Sequence, residues 1–162
     1  IAYLGICLFE GTNVSEGRGT AIPFLNFGAP WIESKHFVDR LTHLNLPGVK
    51  FVPITFTPTS IPEKAKYPKY ENKECGGARL EIIDREQFIP VFTGVSIIQV
   101  LHDAYPNEFQ WNENNYIDKL YGSDYLRYFL KQRRNLEKLN TEWKIDRLMF
   151  LKDRQPYLIY SD

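Results

Sequence analysis

The chain has 162 residues, of which 43% are hydrophobic and 15% are aromatic, and its 20 Lys and Arg balance its 20 Asp and Glu. This composition can build one packed core, so we expect a single domain and exclude a disordered chain. Because the net charge is zero, no overall field attracts nucleic acid, and we expect no nucleic-acid partner. No apolar run approaches the roughly 20 residues of a membrane span.

The cysteines and histidines show no pattern of metal ligands. Cys7 and Cys75 are the two cysteines, and they could form one disulfide or none. His36 and His43 lie on one predicted helix without a cysteine or carboxylate at ligand spacing, so we expect no metal. The glycine-rich residues 17–20 lack the lysine of a phosphate-binding loop, and we therefore expect no nucleotide and no other cofactor.

The first third of the chain alternates short predicted elements with one long loop. Residues 1–9 are apolar and predict a buried strand or a short helix. Residues 10–23 contain three glycines among small polar side chains and predict an irregular loop. Residues 24–31 predict a short strand. Ser34 can cap the helix that follows, whose apolar residues recur at helical spacing.

The middle of the chain predicts two strands joined by a polar loop. Residues 49–56 are typical of a strand, but Pro53 cannot donate a ladder hydrogen bond, which favours an edge strand or a bulge. Residues 61–75 predict the polar loop. The alternation of apolar and polar side chains over 78–84 predicts a half-buried strand.

The last part of the chain predicts helices and a closing strand. Thr93 can cap one helix, residues 122–124 can begin a second, and Thr141 can cap a third. The basic residues 131–134 suit a solvated helix end, and residues 157–160 predict a final strand. Three or four strands with about four helices predict an α/β (α+β) domain in which helices cover a small mixed sheet.

Loop 10–23 concentrates the polar chemistry of the chain. It holds two carboxylates, one guanidinium and several neutral groups, namely Glu10, Glu16, Arg18, Thr12, Asn13, Ser15 and Thr20. Planar bidentate groups bind the vicinal hydroxyls of a sugar, and glycines let the backbone approach the ligand. The loop is therefore a candidate polyhydroxyl-binding site. The alternative, which composition alone favours, is a structural loop whose side chains bond the backbone.

Two carboxylates and one aromatic residue are candidates for glycosidase chemistry, which uses two carboxyl groups about 5 to 10 Å apart. Glu10 follows an apolar stretch, where burial favours the protonated acid of such a pair. Glu16 lies among Ser and Gly, so we expect it to be solvated, and the simpler interpretation is a surface charge. Trp31 can stack on a sugar ring or fill the core, and the core is favoured.

The run from Cys7 to Thr20 resembles the signature of the NamZ-like exo-β-N-acetylmuramidases. Further matches occur in order along nearly the whole chain: Pro23–Phe24, Gly28–Trp31, Phe51 with Pro53, Lys69–Tyr70, Cys75–Gly77, Ile117–Gly122 and Tyr157–Tyr160. The resemblance implies a bacterial cell-wall enzyme, periplasmic or secreted, that removes terminal N-acetylmuramic acid from the non-reducing end of peptidoglycan fragments.

The resemblance also implies a two-domain protein, of which this chain matches only the smaller, C-terminal part, over residues 1–162. The larger N-terminal part of the family is Rossmann-like, carries the proposed catalytic glutamate and packs against the smaller part to form the cleft. We therefore expect that part and peptidoglycan fragments as partners, and we expect the isolated chain to be inactive. The chain also opens at Ile1 without an initiator Met, which indicates a cut fragment or a processed chain.

Carried over to this sequence, the signature assigns roles to loop residues. Arg18 becomes a candidate clamp for the lactyl carboxylate of muramic acid, since a guanidinium binds a carboxylate in a fork. Glu10 is the candidate catalytic residue, and the candidate substrate-binding residues are Thr12, Asn13, Arg18, Thr20 and Trp31. The alternative function is a non-catalytic module that binds cell-wall carbohydrate or docks a partner.

Overall fold

The computed structural model describes residues 1–132 and 135–160. In these residues the helices and strands follow one another as α1 (Tyr3–Ile6), β1 (Asn26–Ala29), α2 (Ser34–His43), β2 (Val49–Phe56), β3 (Cys75–Ile82), α3 (Pro90–Ala104), α4 (Tyr116–Tyr121), α5 (Tyr125–Lys131) and α6 (Leu136–Arg154). Short 3₁₀ helices cover Cys7–Gly11, Glu113–Asn115 and Gln155–Tyr157. The predicted class, helices around a small sheet, is confirmed.

The sheet has β3 in its centre, with β1 on one side and β2 on the other. Both pairings are antiparallel, whereas the sequence predicted a mixed sheet. The edge position predicted for β2 is confirmed, and Pro53 lies opposite Ala78 in the register. Strand β1 is shorter than predicted because Phe24 has a left-handed φ of 64°, which a strand does not accommodate.

An aromatic cluster centred on Phe27 joins the sheet to the elements around it. The Phe27 ring is edge-on to Phe9, Phe37 and Phe51, with centroids 5.3, 6.2 and 6.5 Å away. Edge-to-face aromatic pairs at such distances contribute about 0.5–1.5 kcal/mol beyond the area they bury. Phe9 belongs to the 3₁₀ helix that opens loop 10–23, so this cluster fixes one end of the loop to the core.

Helix α1 packs backbone to backbone against α3. The sequence left residues 1–9 open between a strand and a short helix, and they form two short helical segments. A Cβ on Gly5 would lie 1.9 Å from the carbonyl oxygen of Pro90, and one on Gly94 would lie 2.4 Å from the carbonyl oxygen of Gly5. Glycine at both positions therefore sets the distance between the two helices.

Helix α2 begins at Ser34, but its cap is the preceding residue, so the predicted capping role of Ser34 is wrong. The Glu33 carboxylate accepts hydrogen bonds from the backbone N–H groups of Lys35 and His36. The Ser34 hydroxyl instead donates to the Ile54 carbonyl oxygen at 2.6 Å and accepts from the Gly77 N–H at 2.9 Å. Ser34 thus fastens α2 to two strands of the sheet.

Two other predicted caps are also wrong. Helix α3 begins at Pro90, and Thr93 is buried inside it. Helix α6 begins at Leu136 because the Asn135 side chain accepts from the Glu137 N–H, and Thr141, inside the helix, donates to the Glu137 carbonyl oxygen. Each true N-terminus lies earlier along the chain than the threonine, whose hydroxyl is compatible with a helix interior.

The closing segment forms no strand, so this prediction is wrong. Residues 155–157 form a 3₁₀ helix, and Tyr157, Ile159 and Tyr160 are exposed. An extended segment needs a neighbouring strand to satisfy its backbone hydrogen bonds, and no named strand lies beside it within the described chain.

Of the basic tract 131–134, the last two residues lie outside the described residues. Over those that are described, no helix has the length and apolarity to cross a membrane.

Candidate functional site

Loop 10–23 is folded tightly back onto strand β1. Ser15 and Gly28 form a bridge in which each N–H donates to the other's carbonyl oxygen, at 2.8 and 3.0 Å. Gly17 has a φ of 78°, and a Cβ there would lie 2.3 Å from the Asn26 carbonyl oxygen. The left-handed backbone conformation and the close contact with Asn26 both require glycine at this position. The predicted irregular loop is thus confirmed, and Gly17 allows it to lie against β1.

Four charged side chains meet at this loop, and we call them the charge cluster: Glu10, Glu16, Arg18 and Lys69. Arg18 Nη2 lies 2.6 Å from Glu10 Oε1, and Arg18 Nε lies 3.4 Å from Glu16 Oε1. Lys69 Nζ lies 3.1 Å from the other oxygen of Glu16. Two cations and two anions therefore alternate along one chain of contacts.

The buried member of the charge cluster is Glu16, with 4% of its side chain exposed. This reverses the sequence expectation, which had Glu16 solvated and Glu10 buried, since the Glu10 side chain is 24% exposed. A buried carboxylate requires a paired cation, and Arg18, two residues further along the chain, supplies one contact. Lys69 reaches Glu16 from a distant segment and supplies the closer cation.

Lys69 ties the two ends of the loop together. Its ammonium group donates to the carbonyl oxygens of Phe9 and Val14, at 2.8 and 3.0 Å, and pairs with Glu16. Two of the three ammonium donors make these hydrogen bonds, and the positive charge lies beside Glu16. Burial lowers the pKa of Lys69, and the carboxylate of Glu16 opposes this change. The sequence placed Lys69 only in a polar loop and in the family resemblance, and it gave no signal for this role.

The exposed member of the charge cluster is Arg18, with 42% of its side chain accessible. The hydrogen bond from Arg18 to Glu10 raises the pKa of the guanidinium, which stays charged. The guanidinium carbon also lies 5.0 Å from the ring centroid of Phe24, in a cation–π contact. Arg18 is therefore held in place on two sides while part of it still faces solvent.

Two predicted binding residues hold the loop through backbone contacts. Thr12 is fully buried, and its hydroxyl donates to the Phe9 carbonyl oxygen and accepts from the Val14 N–H. The Asn13 amide donates to the Glu108 carbonyl oxygen at 2.7 Å, and its side-chain oxygen accepts from the Gln110 N–H at 3.0 Å. These contacts fit the structural alternative that the sequence left open.

The other two predicted binding residues lie in different places. Thr20 lines a cavity beside Arg18, and its hydroxyl donates to the Gly17 carbonyl oxygen at 2.7 Å. Trp31 is partly buried and packs against Tyr105, with ring centroids 5.2 Å apart. The structure thus brings Glu10, Arg18 and Thr20 to one region and leaves Trp31 in an aromatic contact at the edge of the core.

A tyrosine that sequence reasoning gave no role also supports the loop. The Tyr70 hydroxyl donates to the Asn13 carbonyl oxygen at 2.6 Å. Burial raises the pKa of Tyr70, so the phenol remains a donor at neutral pH. Tyr70 follows Lys69 in the chain, and the two neighbours together hold the loop from one side.

The two cysteines are free thiols. Cys75 is fully buried, and burial raises its pKa to about 11, while burial and the nearby Glu10 raise the pKa of Cys7. Since the thiolate is the reactive form, we expect iodoacetamide at pH 8 to leave Cys75 unmodified and to modify Cys7 slowly. Mass spectrometry should show fast labelling of both only after urea unfolding. Rapid labelling of native Cys75 contradicts this prediction.

Over residues 1–132 and 135–160, no cluster of three or more metal-ligating side chains occurs.

Comparisons with known proteins identify the family of this chain. A family model described as exo-β-N-acetylmuramidase NamZ, C-terminal, matches residues 1–160. The chain belongs to the NamZ C-terminal family. The peptidoglycan β-N-acetylmuramidase NamZ of Bacillus subtilis (strain 168) is 39% identical over 158 residues, which cover 98% of this chain and 36% of that protein.

Two solved structures share the fold of this NamZ C-terminal family member. Both are DUF1343 family proteins from Bacteroides fragilis NCTC 9343. One has a TM-score of 0.84 at 25% identity, covering 98% of this chain and 41% of its own, and the other has a TM-score of 0.68 at 32% identity, covering 99% and 40%. The chain therefore spans less than half the length of each of these relatives.

Proposed function

We propose that this chain is the C-terminal, cleft-forming domain of a two-domain exo-β-N-acetylmuramidase. In this proposal, loop 10–23 binds the terminal N-acetylmuramic acid at the non-reducing end of a peptidoglycan fragment, and an N-terminal Rossmann-like part supplies the catalytic acid. Peptidoglycan lies outside the cytoplasmic membrane, so we place the protein in the periplasm or beyond. The activity named for the Bacillus subtilis relative and the family match support the substrate class.

The observation that carries the proposal is the exposed pair of Arg18 and Glu10. One oxygen of Glu10, Oε1, accepts both hydrogen bonds from Arg18, at 2.6 and 3.3 Å. The other oxygen of Glu10 and Nη1 of Arg18 have no hydrogen-bond partner among the residues that the structure describes. The ion pair therefore keeps one acceptor and one donor atom unbonded on two side chains that are 24% and 42% exposed, a combination that suits the hydroxyl and carbonyl groups of a sugar.

The same arrangement supports a catalytic acid from outside this chain. Glycoside hydrolysis requires two accessible carboxyl groups that flank the scissile bond. Within loop 10–23, Glu16 is buried and paired with Lys69, which leaves Glu10 as the accessible carboxylate. In our proposal Glu10 is the carboxylate that this chain contributes to the cleft, and its catalytic partner comes from the N-terminal part.

Arg18→Ala in the two-domain protein tests the proposal. We expect the kcat/KM for a chromogenic N-acetylmuramide to fall at least about tenfold, since a charge-assisted hydrogen bond contributes about 1.5–3 kcal/mol. Arg85→Ala is the matched control, because Arg85 is an exposed arginine outside the loop, and it should leave kcat/KM unchanged. An Arg18→Ala enzyme within twofold of the wild type contradicts the clamp role.

A second candidate function is a non-catalytic module that binds cell-wall carbohydrate. The burial of Glu16 favours it, because the loop alone offers one accessible carboxylate. Sugar binding without turnover by the two-domain protein would select this alternative. If calorimetry with muramic acid fragments shows no heat of binding, the loop is a docking surface for another part of the protein and both sugar-binding proposals fail.

A further inference from the structure

A small cavity opens directly beside Arg18. Its volume is about 250 Å³, and its lining comes from the end of loop 10–23 and from a later turn: Arg18, Gly19, Thr20, Ala21, Pro23, Ile61, Lys64 and Ala65. Cavities that hold a whole drug-sized ligand measure about 300–1,000 Å³. This cavity therefore suits one substituent of a larger ligand.

The walls of the cavity are held together by backbone hydrogen bonds. Ile61 and Ala65 exchange N–H to carbonyl hydrogen bonds in both directions, each 2.9 Å long, which closes the turn that carries Lys64. The Thr59 N–H donates to the Gly19 carbonyl oxygen at 3.0 Å and joins this segment to loop 10–23. The position of Lys64 beside Arg18 thus follows from bonded backbone on both sides.

The electrostatics of the cavity depend on Lys64. The charge of Arg18 is offset by Glu10 and Glu16, the two carboxylates that it contacts. Lys64 is exposed and has no ion-pair partner in the part of the chain that the structure describes. Glu63 precedes Lys64 in the chain but does not line the cavity. The uncompensated positive charge at this cavity is therefore that of Lys64.

We propose that this cavity binds the carboxylate of the lactyl substituent of N-acetylmuramic acid and that Lys64 is the residue that determines specificity for it. Arg18 lines the same cavity and is a second donor beside Lys64. This inference rests on the proposed function and deepens it. N-acetylmuramic acid differs from N-acetylglucosamine by its lactyl ether, which carries one negative charge. A cation at this cavity therefore distinguishes the two sugars, because only the sugar with a negative charge gains the attraction of opposite charges.

The test is calorimetric binding of three sugars to the two-domain protein and its variants. The sugars are N-acetylmuramic acid, N-acetylglucosamine, and N-acetylmuramic acid amide, whose lactyl group is uncharged. We expect the wild type to bind the acid at least tenfold more tightly than the other two. Lys64→Met should reduce this preference about tenfold without changing the affinity for N-acetylglucosamine, and Lys64→Arg should retain it.

Lys66→Met is the matched control, because Lys66 is exposed on the same loop and does not line the cavity. It should keep the full preference for the acid. If Lys64→Met keeps the preference within twofold, or if the amide binds as tightly as the acid, this inference is wrong while the proposed function stands. If the wild type binds none of the three sugars, the proposed function fails and this inference fails with it.

Discussion

Replacing Lys69 by methionine is expected to destabilise the protein by about 3 kcal/mol, because it removes the nearer of the two cations that contact the buried Glu16 and leaves only Arg18, 3.4 Å away. Two backbone carbonyl oxygens, of Phe9 and Val14, also lose their donor. For a domain of this size, such a loss lowers the melting temperature by roughly 6–12 °C. Differential scanning calorimetry of the variant and the wild type measures the change.

Two further variants separate the effect of charge from that of packing. Glu16→Gln in the Lys69→Met background removes the buried charge that has lost its nearer cation and should recover about half of the lost stability, since a neutral amide costs less to bury than a carboxylate. Lys73→Met is the matched control, because Lys73 is an exposed lysine on the same loop, and its melting temperature should equal that of the wild type. A Lys69→Met protein that melts within 2 °C of the wild type, against the expected drop of roughly 6–12 °C, contradicts the assigned role.

The second large effect is expected for Gly94→Ala. In an ordinary helix this substitution stabilises by about 1 kcal/mol. At Gly94, however, the new Cβ would lie 2.4 Å from the Gly5 carbonyl oxygen, so α1 and α3 must separate. We expect a net loss of about 2 kcal/mol, which urea unfolding measures as a lower midpoint.

The displacement caused by Gly94→Ala should also reach the site. Helix α1 leads directly into the 3₁₀ helix that carries Glu10, so a shift of α1 moves this carboxylate relative to Arg18. Val91→Ala is the control, because Val91 is a partly exposed residue in the first turn of the same helix, and it should change the urea midpoint little. An unchanged or higher midpoint for Gly94→Ala contradicts the proposed backbone contact.

Local patterns in the sequence predicted the elements whose formation depends on nearby residues. Helical spacing of apolar residues located α2 and α3, and Pro53 marked β2 as an edge strand, because a missing donor excludes a central position. The three predicted N-caps were wrong. Several neighbouring residues can accept the free N–H groups at a helix N-terminus, and the backbone geometry determines which of them does so.

The site depends on contacts that local patterns do not contain. Glu16 looked solvated because its neighbours are small and polar, yet Lys69 arrives from another segment and makes its burial possible. Asn13 looked like a sugar ligand, yet residues 108–110 approach from far along the chain and engage both ends of its side chain. The roles of the loop side chains in holding the backbone or facing solvent therefore follow from tertiary contacts.

The contacts of Lys69 have a consequence for the thermodynamics of the sugar binding that we propose. A loop that already has its bound shape loses little conformational entropy when it binds a ligand. The proposed complex should therefore form with a small heat-capacity change, set by the contact area alone, without the large negative value of a segment that folds around its ligand. In that case the affinity for the sugar depends on how well its shape matches the loop.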